Sequence, residues 1–568
     1  MFKRILFVLC SLLLMVVYSL RAQVENVPVE NPVYTFLKRM DLKNVISNYR
    51  DVILPISRKQ VAKYLQQAKA HPNDLTETER QQLDDFSVEF QFDLSRTNDS
   101  LYTLIDSNGV ELTGQGTFNN AQKYLYAGND SSSSIFIDCL LTYDARRSDG
   151  DALGHQQANF VQFGGRIRGT LYDKLGYFLY GTNAQFWGSR DVLRRDKYIS
   201  QAYTLGILDA KNFDLSEGYV RYESGIISAE LGQERLLWGH GYGDKMIVSD
   251  NVRQFPFVRA DVNYKGLTYT FMHGWLLGSD SSVRFQIPGL TGPSSYVTEP
   301  VVADKYIAAH RLGLTISSMS IGFQEMAIYS NRSVDLAYLN PLILIESAQR
   351  SRQERDNILW AFDAEDHVLH NVELQGTLVL DDLNFPKLGT SSSQNKFAVQ
   401  GGTMVVDPIC LSNTSIAVEY TRVNPYTFSH ERSRDDNYGS FGQILSHHIG
   451  PNSDSWFFKF DYQPMYRLST SFRFELQRHG EDVFDSTGNL VKNVGGDYLI
   501  PQRDSDPQSV SFLDGNRVIT DVFQIYITYE IINQVLLDCH YQLTRQKDFA
   551  HDLVTHNHDY GITLRLGL

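Results

Sequence analysis

The chain has 568 residues, of which 66 are acidic and 52 are Lys or Arg, and its formal net charge is −14. This length exceeds that of an ordinary single globular core and predicts either several domains or one large closed structure. The acidic balance argues against a nucleic-acid partner, which requires clustered Lys and Arg. The chain after the N-terminal segment has no apolar run of 18 or more residues, so no transmembrane helix is predicted.

Residues 1–22 have the pattern of a secretory signal peptide. Lys3 and Arg4 precede an apolar run that extends from Ile5 to about Leu20, and Ala22 offers a small residue for cleavage. Removal of this segment takes away three positive charges and brings the formal charge to −17. The mature protein is therefore predicted to leave the cytoplasm.

Residues 23–130 are predicted to form an N-terminal region on the periplasmic side, with helices between 31 and 86. Ser57 with Gln60, and Thr76 with Glu79, have the spacing of capping boxes at helix starts. From Phe86 to Leu94 apolar and polar residues alternate, which predicts a change from helix to strand at this point.

From about residue 134 onward the chain contains 18 segments with the period of two that is typical of strands. The connections between these segments alternate in length, first long and then short, up to the last segment. The predicted segments are 134–145, 158–172, 175–187, 213–224, 225–239, 259–266, 267–278, 304–318, 319–330, 357–369, 370–383, 395–408, 411–424, 455–467, 468–480, 521–532, 533–548 and 559–568.

This alternation predicts an all-β transmembrane barrel of about 18 antiparallel strands over residues 131–568, in the outer membrane of a Gram-negative bacterium. In such barrels short turns face the periplasm and long loops face the exterior. The segments also have two different faces: Phe472 and Phe474 alternate with Arg473 and Glu475. One face suits membrane lipid and the other suits a polar lumen. The helices of the N-terminal region are expected to obstruct this lumen.

The last nine residues, YGITLRLGL, alternate apolar and small or polar side chains up to Leu568. Lipid would cover the apolar face of such a strand, and the first strand, near Ile135, would pair with its edge. A terminal strand of this kind is also where the outer-membrane assembly machinery is expected to recognise the chain. Membrane lipid and that machinery are therefore predicted partners.

The sequence contains no recognisable catalytic motif, and neither an enzymatic activity nor a cofactor is predicted. His551, His556, His558 and Asp559 offer metal-ligand chemistry, but they fall in the last external loop, where solvated side chains are expected. The three cysteines after the signal, Cys139, Cys410 and Cys539, are too few and too scattered for a disulfide framework.

Charged side chains are predicted to point into the lumen, where such groups commonly hold a plug and less often line a permeation path. They are Arg166, Arg168, Glu217, Arg221, Glu223, Glu230 and Glu234. The long loops combine basic and aromatic residues, which bind carboxylates and stack on sugar rings. The candidate polysaccharide contacts in these loops are Arg350, Arg352, Arg355, Tyr426, Arg432 and Arg434.

Three stretches, in order along the mature chain, resemble the Wzi capsule-assembly family. They are LGQERLLWGHGYGDKMIVSDN at 231–251, YLNPLILIE at 338–346, and NPVYTFLKRMDLKNVI followed by LPISRKQVAKYL near the N-terminus. The resemblance implies an 18-stranded outer-membrane barrel with a periplasmic helical plug. It also implies a lectin that fastens capsular polysaccharide to the cell surface, without catalytic residues.

The predicted function is therefore a non-enzymatic outer-membrane protein that binds a surface polysaccharide, of capsular or exopolysaccharide type and acidic, and attaches it to the cell. The alternative is a porin or substrate-specific channel, which the same barrel would support if the helical segment lay outside the lumen.

Overall fold

Eighteen antiparallel strands form a closed barrel in the computed structural model, which describes residues 23–568 except 107–108, 111–115, 203–210, 287–295, 368, 383–384, 388–389 and 432. The predicted signal peptide lies outside the described residues. The strands are β1 Ser134–Gly150, β2 Gln156–Leu171, β3 Leu175–Gly188, β4 Asn212–Ser224, β5 Ile227–Gln233, β6 Phe257–Tyr264, β7 Leu267–Gln286, β8 Tyr296–Ile316, β9 Met319–Ser330, β10 Asn357–Asp366, β11 Val372–Asp382, β12 Lys396–Val406, β13 Thr414–Val423, β14 Ser453–Met465, β15 Leu468–Glu481, β16 Asn516–Ile532, β17 Val535–Asp548 and β18 Leu553–Gly567.

The barrel closes where β18 pairs with β1. Their register runs from Gly567 opposite Leu140 to Asn557 opposite Gly150, and the Leu568 and Cys139 backbones exchange hydrogen bonds of 2.8 and 2.7 Å. Each of the 18 strand segments predicted from the sequence corresponds to one strand of the barrel. The predicted fold class is confirmed.

Apolar side chains form a belt on the outside of the wall, and polar side chains point inward. On β1, Leu141 and Tyr143 are exposed, whereas Asp138 and Asp144 are buried on the other face. On β8, Leu312, Leu314 and Ile316 are exposed in the same way. This arrangement is the one that a lipid exterior and a polar interior require.

The two ends of the barrel differ. Short turns, such as 225–226, 265–266 and 533–534, join the strands at one end, which we call the short-turn end. At the other end, the long-loop end, the connections include 189–211, 234–256, 331–356, 424–452 and 482–515.

The N-terminal region contains four helices: α1 Val33–Leu42, α2 Arg58–Lys69, α3 Glu77–Glu89 and α4 Gln91–Ser95. The side chains of Ser57 and Thr76 cap α2 and α3, and Thr76 with Glu79 forms a complete capping box. These helices, the N-terminal bundle, share one apolar core that includes Leu37, Leu65 and Phe86. None of the described helices is both long and apolar enough to cross a membrane.

The predicted strand from Phe86 to Leu94 is wrong, because α3 and α4 cover this stretch. Its apolar residues alternate, but Phe86, Phe90 and Leu94 also recur every fourth position, which places them on one side of a helix. Phe86 and Phe90 are buried in the bundle core. The capping box and this core together favour the helix.

The bundle sits at the short-turn end and is bound to several turns. Arg39 contacts Asp407 at 2.9 Å, Lys59 contacts Glu223 at 3.0 Å, and Arg96 forms an ion pair with Asp173. The backbone nitrogen of Asn371 also donates to the carbonyl of Leu42 at 2.9 Å. These contacts fix the bundle across the mouth of the barrel.

Candidate functional site

An apolar cluster, the inner core, fills the half of the lumen beside β6–β13. Loop 234–256 contributes Trp238 and Met246, and loop 424–452 contributes Phe428 and Tyr438, all fully buried. They pack against inward side chains of these eight strands, among them Ile328. The two loops therefore fold back into the barrel, although the sequence predicted external connections here.

The inner core is joined to the N-terminal bundle by backbone pairing. Ile53 pairs with Trp238, and Leu54 pairs with Leu237, in a short two-stranded sheet. The backbone nitrogen of Gly239 donates to the Val52 carbonyl at 2.7 Å. A loop that starts from the long-loop end thus meets the bundle inside the barrel.

A buried network of charges ties helix α1 to the wall beneath the inner core. Lys38 contacts Glu365 at 2.8 Å and Glu373 at 2.5 Å. Burial works against the charge on Lys38, but the neighbouring carboxylates outweigh it and raise the pKa of Lys38 well above its usual value. His367 joins the same group and contacts Asp41 of α1 at 2.8 Å.

The extended segment before the bundle is held by the inward charges that the sequence predicted. Glu25 forms an ion pair with Arg168 at 2.8 Å, and both side chains are almost fully buried. The side-chain amide of Asn26 donates to Glu230 at 3.0 Å and to Glu234 at 2.7 Å. These groups anchor the N-terminal segment and are not available to line a free path.

The other half of the lumen has a polar lining, which we call the polar lumen. It is formed by the inward faces of β14–β18 and β1–β3, where strand register places polar side chains side by side. Its members include Thr142, Gln162, Arg166, Tyr180, Ser471, Arg473, Gln524, Tyr526, Thr528, Asp538, His540, Gln542 and Arg565.

Three side chains of the polar lumen form a stack. The guanidinium of Arg473 lies over the Tyr526 ring, 4.8 Å from its centre, and the Tyr526 ring stacks on His540 at 6.3 Å with an angle of 27°. All three side chains are half-buried and line the interior. A guanidinium fork binds carboxylates, and an aromatic face packs against the apolar face of a sugar ring. The stack therefore offers the chemistry of an acidic glycan site.

Two cavities of about 360 Å³ each lie between the bundle and the wall of the polar lumen. The first reaches Arg467 and Gln534 at the short-turn end, and the second reaches Tyr198 in loop 189–211. Both touch Arg166 and Arg565. Their volumes fall in the range of roughly 300–1,000 Å³ that ligand pockets occupy.

The first part of loop 189–211, residues 189–202, lies over the polar lumen and connects it with the inner core. Arg146 on β1 contacts Asp196 of this loop at 2.7 Å. The next residue, Lys197, contacts Asp244 at 3.0 Å and Asp250 at 2.5 Å in loop 234–256. Burial opposes the charge on Lys197, but these two carboxylates prevail and raise the pKa of its ammonium group.

Asp244, His447 and His448 are close enough to hold a metal ion, with one ligand atom from each lying within 4.8 Å of the others. The carboxylate of Asp244 already has partners, however. His448 contacts it at 2.8 Å, and Lys197 and Asn251 contact it at 3.0 and 2.8 Å. An ion would have to displace these partners, so the cluster is explained as an ionic link between loops.

The five described residues among the six predicted to bind polysaccharide do not come together. Tyr426 is fully buried, and its hydroxyl donates to the Asn493 carbonyl at 2.9 Å, so its ring has no face open to a ligand. Arg434 is exposed beside a cavity of about 300 Å³ that Lys305 and Phe441 also line. Arg432 lies outside the described residues.

The other three predicted residues lie on the outside of the barrel wall. Arg350 and Arg352 belong to α6 Ile345–Arg352, the helix that comes after α5 Arg190–Arg194 along the chain, and Arg355 follows α6. Arg350 forms an ion pair with Glu346, Arg352 contacts Asp335 at 2.7 Å, and Arg355 is exposed.

Sequence reasoning missed the stack of Arg473, Tyr526 and His540. The alternation in β15 and β17 already marked Arg473 and His540 as polar-face residues. The alternation could not supply the barrel register. This register sets Tyr526 directly opposite His540 on one side and opposite Ser471, two residues from Arg473, on the other.

In sequence, residues 141–360, from β1 to β10, match the family described as capsule assembly protein Wzi. The predicted resemblance to the Wzi family is confirmed. No curated protein matches the chain.

Among solved structures, the Wzi-like barrel is similar to Wzi of Escherichia coli, described as an outer-membrane, carbohydrate-binding β-barrel involved in group 1 capsule assembly. The identity is 13%, the TM-score is 0.54, and the alignment covers 95% of this chain and 99% of the other. OprD of Pseudomonas aeruginosa aligns at 9% identity with a TM-score of 0.41, covering 78% of this chain and 97% of its own. The closed barrel with its apolar belt is an outer-membrane protein.

Proposed function

We propose that this Wzi-like barrel binds an acidic capsular or exopolysaccharide and retains it at the cell surface without chemical conversion. The polymer would enter from the long-loop end, which faces the exterior in outer-membrane barrels. It would contact the stack of Arg473, Tyr526 and His540, together with Arg434 at the rim. The carbohydrate binding described for Wzi of Escherichia coli supports this proposal.

The observation that carries the proposal is the division of the lumen. One half is filled by the inner core, and the bundle covers the short-turn end, so a wide aqueous pore is not formed there. The other half keeps a cavity lined by Arg166, Arg235 and Arg565 and by the rings of Tyr180 and Tyr198, and the stack lies on the wall of the same half. A blocked barrel with a polar recess suits retention of a ligand better than its passage.

The alternative, a porin or substrate-specific channel, is tested by conductance in planar bilayers. The bundle and the inner core predict small or no steady currents for the intact protein. Large and steady channels would favour the porin function, because such currents need a continuous aqueous path.

The binding function is tested with the double variant Arg473→Ser/Tyr526→Leu in the native host. Cell-bound and shed polysaccharide are measured at low and high salt, while total synthesis is followed in parallel. We expect polymer to move into the medium at constant synthesis. A charge contact of about 1 kcal/mol corresponds to about fivefold in affinity, and the loss of the Tyr526 ring adds to this loss at each site. Retention by many repeats on many barrels amplifies this loss.

Arg545→Ser is the matched control, because Arg545 is a half-exposed arginine whose side chain points to the outer face of β17. It should leave retention unchanged. Equal retention by the double variant and the control would contradict the assignment of the polar lumen. Loss of synthesis without shedding would instead indicate a role in export.

The arginines of loop 331–356, which the sequence predicted as polysaccharide contacts, are tested with the same assay. A triple Ser variant of Arg350, Arg352 and Arg355 that assembles normally and sheds polymer would add loop 331–356 to the binding surface. Unchanged retention would restrict binding to the polar lumen and the Arg434 rim.

A further inference from the structure

Loop 331–356 packs against the outer face of the barrel wall. Tyr338, Ile345 and Ala348 of this loop are buried against Tyr306 and Tyr329, which point outward from β8 and β9. The inward neighbours of these two residues, Ile307 and Ile328, belong to the inner core on the opposite face. The loop therefore covers wall that would otherwise contact lipid.

The loop satisfies polar groups that point outward from the wall. The carboxylate of Glu325 on β9 accepts hydrogen bonds from the backbone nitrogens of Ile345 and Glu346, both at 2.8 Å, at the start of α6. His273 on β7 contacts the Tyr329 hydroxyl at 2.7 Å under the same cover. A bare carboxylate on the lipid face would cost energy, and the loop removes that cost.

The depth of these contacts in the membrane follows from the positions of the contacting residues along their strands. A tilted strand advances roughly 2.5 Å along the membrane normal per residue, and the apolar band is about 25 Å tall. Glu325 is six residues from Met319, where β9 leaves the short turn, and so lies roughly 15 Å above that end. The hydroxyl of Tyr269, only two residues into β7, donates to the Pro341 carbonyl. The loop thus descends to about the middle of the band.

The surface that the loop presents is apolar at this depth. Leu342 is 87% exposed and Leu344 is 66% exposed, whereas Leu336, which is 78% exposed, lies higher, next to Asp335 and its contact with Tyr329. Leu342 and Leu344 continue the belt formed by Leu312, Leu314 and Trp360 on the neighbouring wall. Leucines this exposed are unfavourable in water and favourable among acyl chains.

We propose that loop 331–356 is inserted in the outer membrane, with Leu342 and Leu344 in contact with the acyl chains of the lipids. The occupant of this surface is the bilayer itself, because the exposed leucines are continuous with the lipid-facing belt. Arg350, Arg352 and Arg355 then stand above the leucines, near the top of the band, beside the lipid headgroups. The loop is therefore a membrane contact.

The test uses spin labels on single cysteines in the full-length protein, with Cys139, Cys410 and Cys539 replaced by Ala. Leu342→Cys and Leu344→Cys are labelled, and the protein is reconstituted in phosphatidylcholine vesicles. Collision with oxygen, which concentrates in lipid, is compared with collision with a water-soluble nickel chelate. Two reference labels give the values expected for lipid and for water. They are Leu314→Cys on the lipid-facing wall, and Val491→Cys, which is 62% exposed in another long loop.

We expect both loop labels to behave like Leu314, with oxygen collision dominant and the nickel chelate excluded. Labels at 342 and 344 that match Val491, with free access of the chelate, would overturn the proposal. The Leu314 label shows how a lipid-facing label behaves in a correctly inserted barrel, and the heat-dependent shift in gel mobility of each variant confirms that it is folded. This outcome is independent of polysaccharide binding.

Discussion

Glu25 and Arg168 join the N-terminal segment to the barrel wall through one buried ion pair. The side chain of Glu25 is fully buried and that of Arg168 is 3% exposed. Arg168 also donates to the Tyr124 hydroxyl at 2.6 Å and lies over the Phe136 ring. Such a pair contributes little net stability, but the loss of one partner leaves a buried charge without compensation.

Arg168→Met is therefore expected to reduce the free energy with which the N-terminal segment binds the barrel wall by about 3–5 kcal/mol, because Glu25 remains buried and unpaired. The measurement is limited trypsin digestion of the purified barrel, which should cleave the bundle faster. The double variant Glu25→Gln/Arg168→Met removes both charges and should recover part of the protection. Equal digestion of the single variant and the wild type would show that this pair does not hold the segment.

At the scale of elements, β18 closes the barrel and exposes an apolar row to lipid. Leu564 is 41% exposed and Ile562 is 54% exposed on the outer face, and β1 supplies the backbone partners. The apolar face of this strand contacts lipid and does not pack against a protein core. Its apolar side chains are therefore required for insertion in the membrane.

Replacing Leu564, Leu566 and Leu568 with Asp should block insertion and leave synthesis intact. A Lys or Arg on the lipid face costs about 2–4 kcal/mol at the midplane, with Asp somewhat lower, and three substitutions act on one strand. Surface levels and the heat-dependent shift in gel mobility of the folded barrel measure the effect. The control is Thr563→Asn with Arg565→Gln, polar changes on the lumen face that place no carboxylate beside Asp144 or Asp538. Normal surface levels of the triple variant would contradict a lipid-facing role for this row.

The strands were predictable from the sequence because each carries its own period of two. Arg473 and the next residue, Phe474, already distinguish the lumen face from the lipid face. Short turns such as 265–266 fix where a strand ends. The bundle helices were predictable up to Phe86, where two periodicities coincide. No local period reports where a long loop folds, so the inner core around Trp238 and the outer-wall position of Tyr338 could not be predicted.

At the scale of the whole molecule, the bundle and the inner core together decide how much of the lumen is open. The bundle is bound to the short turns, and the inner core fills the half beside β6–β13. The polar lumen is the space that remains. Conductance therefore reports on the bundle and the inner core as a unit.

Deletion of residues 31–86 should raise single-channel conductance several-fold over the intact protein, because the short-turn mouth would lose its cover. The inner core would still occupy half of the lumen and limit the current. Bilayer recordings of both proteins, with folded barrel confirmed by gel mobility, provide the measurement. Identical small currents would mean that the inner core alone blocks the pore.

The short sheet between Ile53–Leu54 and Leu237–Trp238 also forms a path along which force can pass through the protein. Under the proposed function, a polymer held at the cell exterior is dragged by flow, and the pull acts on the loops at the mouth. Loop 234–256 passes this force to the bundle through backbone hydrogen bonds, and the bundle spreads it to the wall through ion pairs such as Lys38 with Glu365. A tether built in this way shares tension among many anchors, so no single strand bears the load.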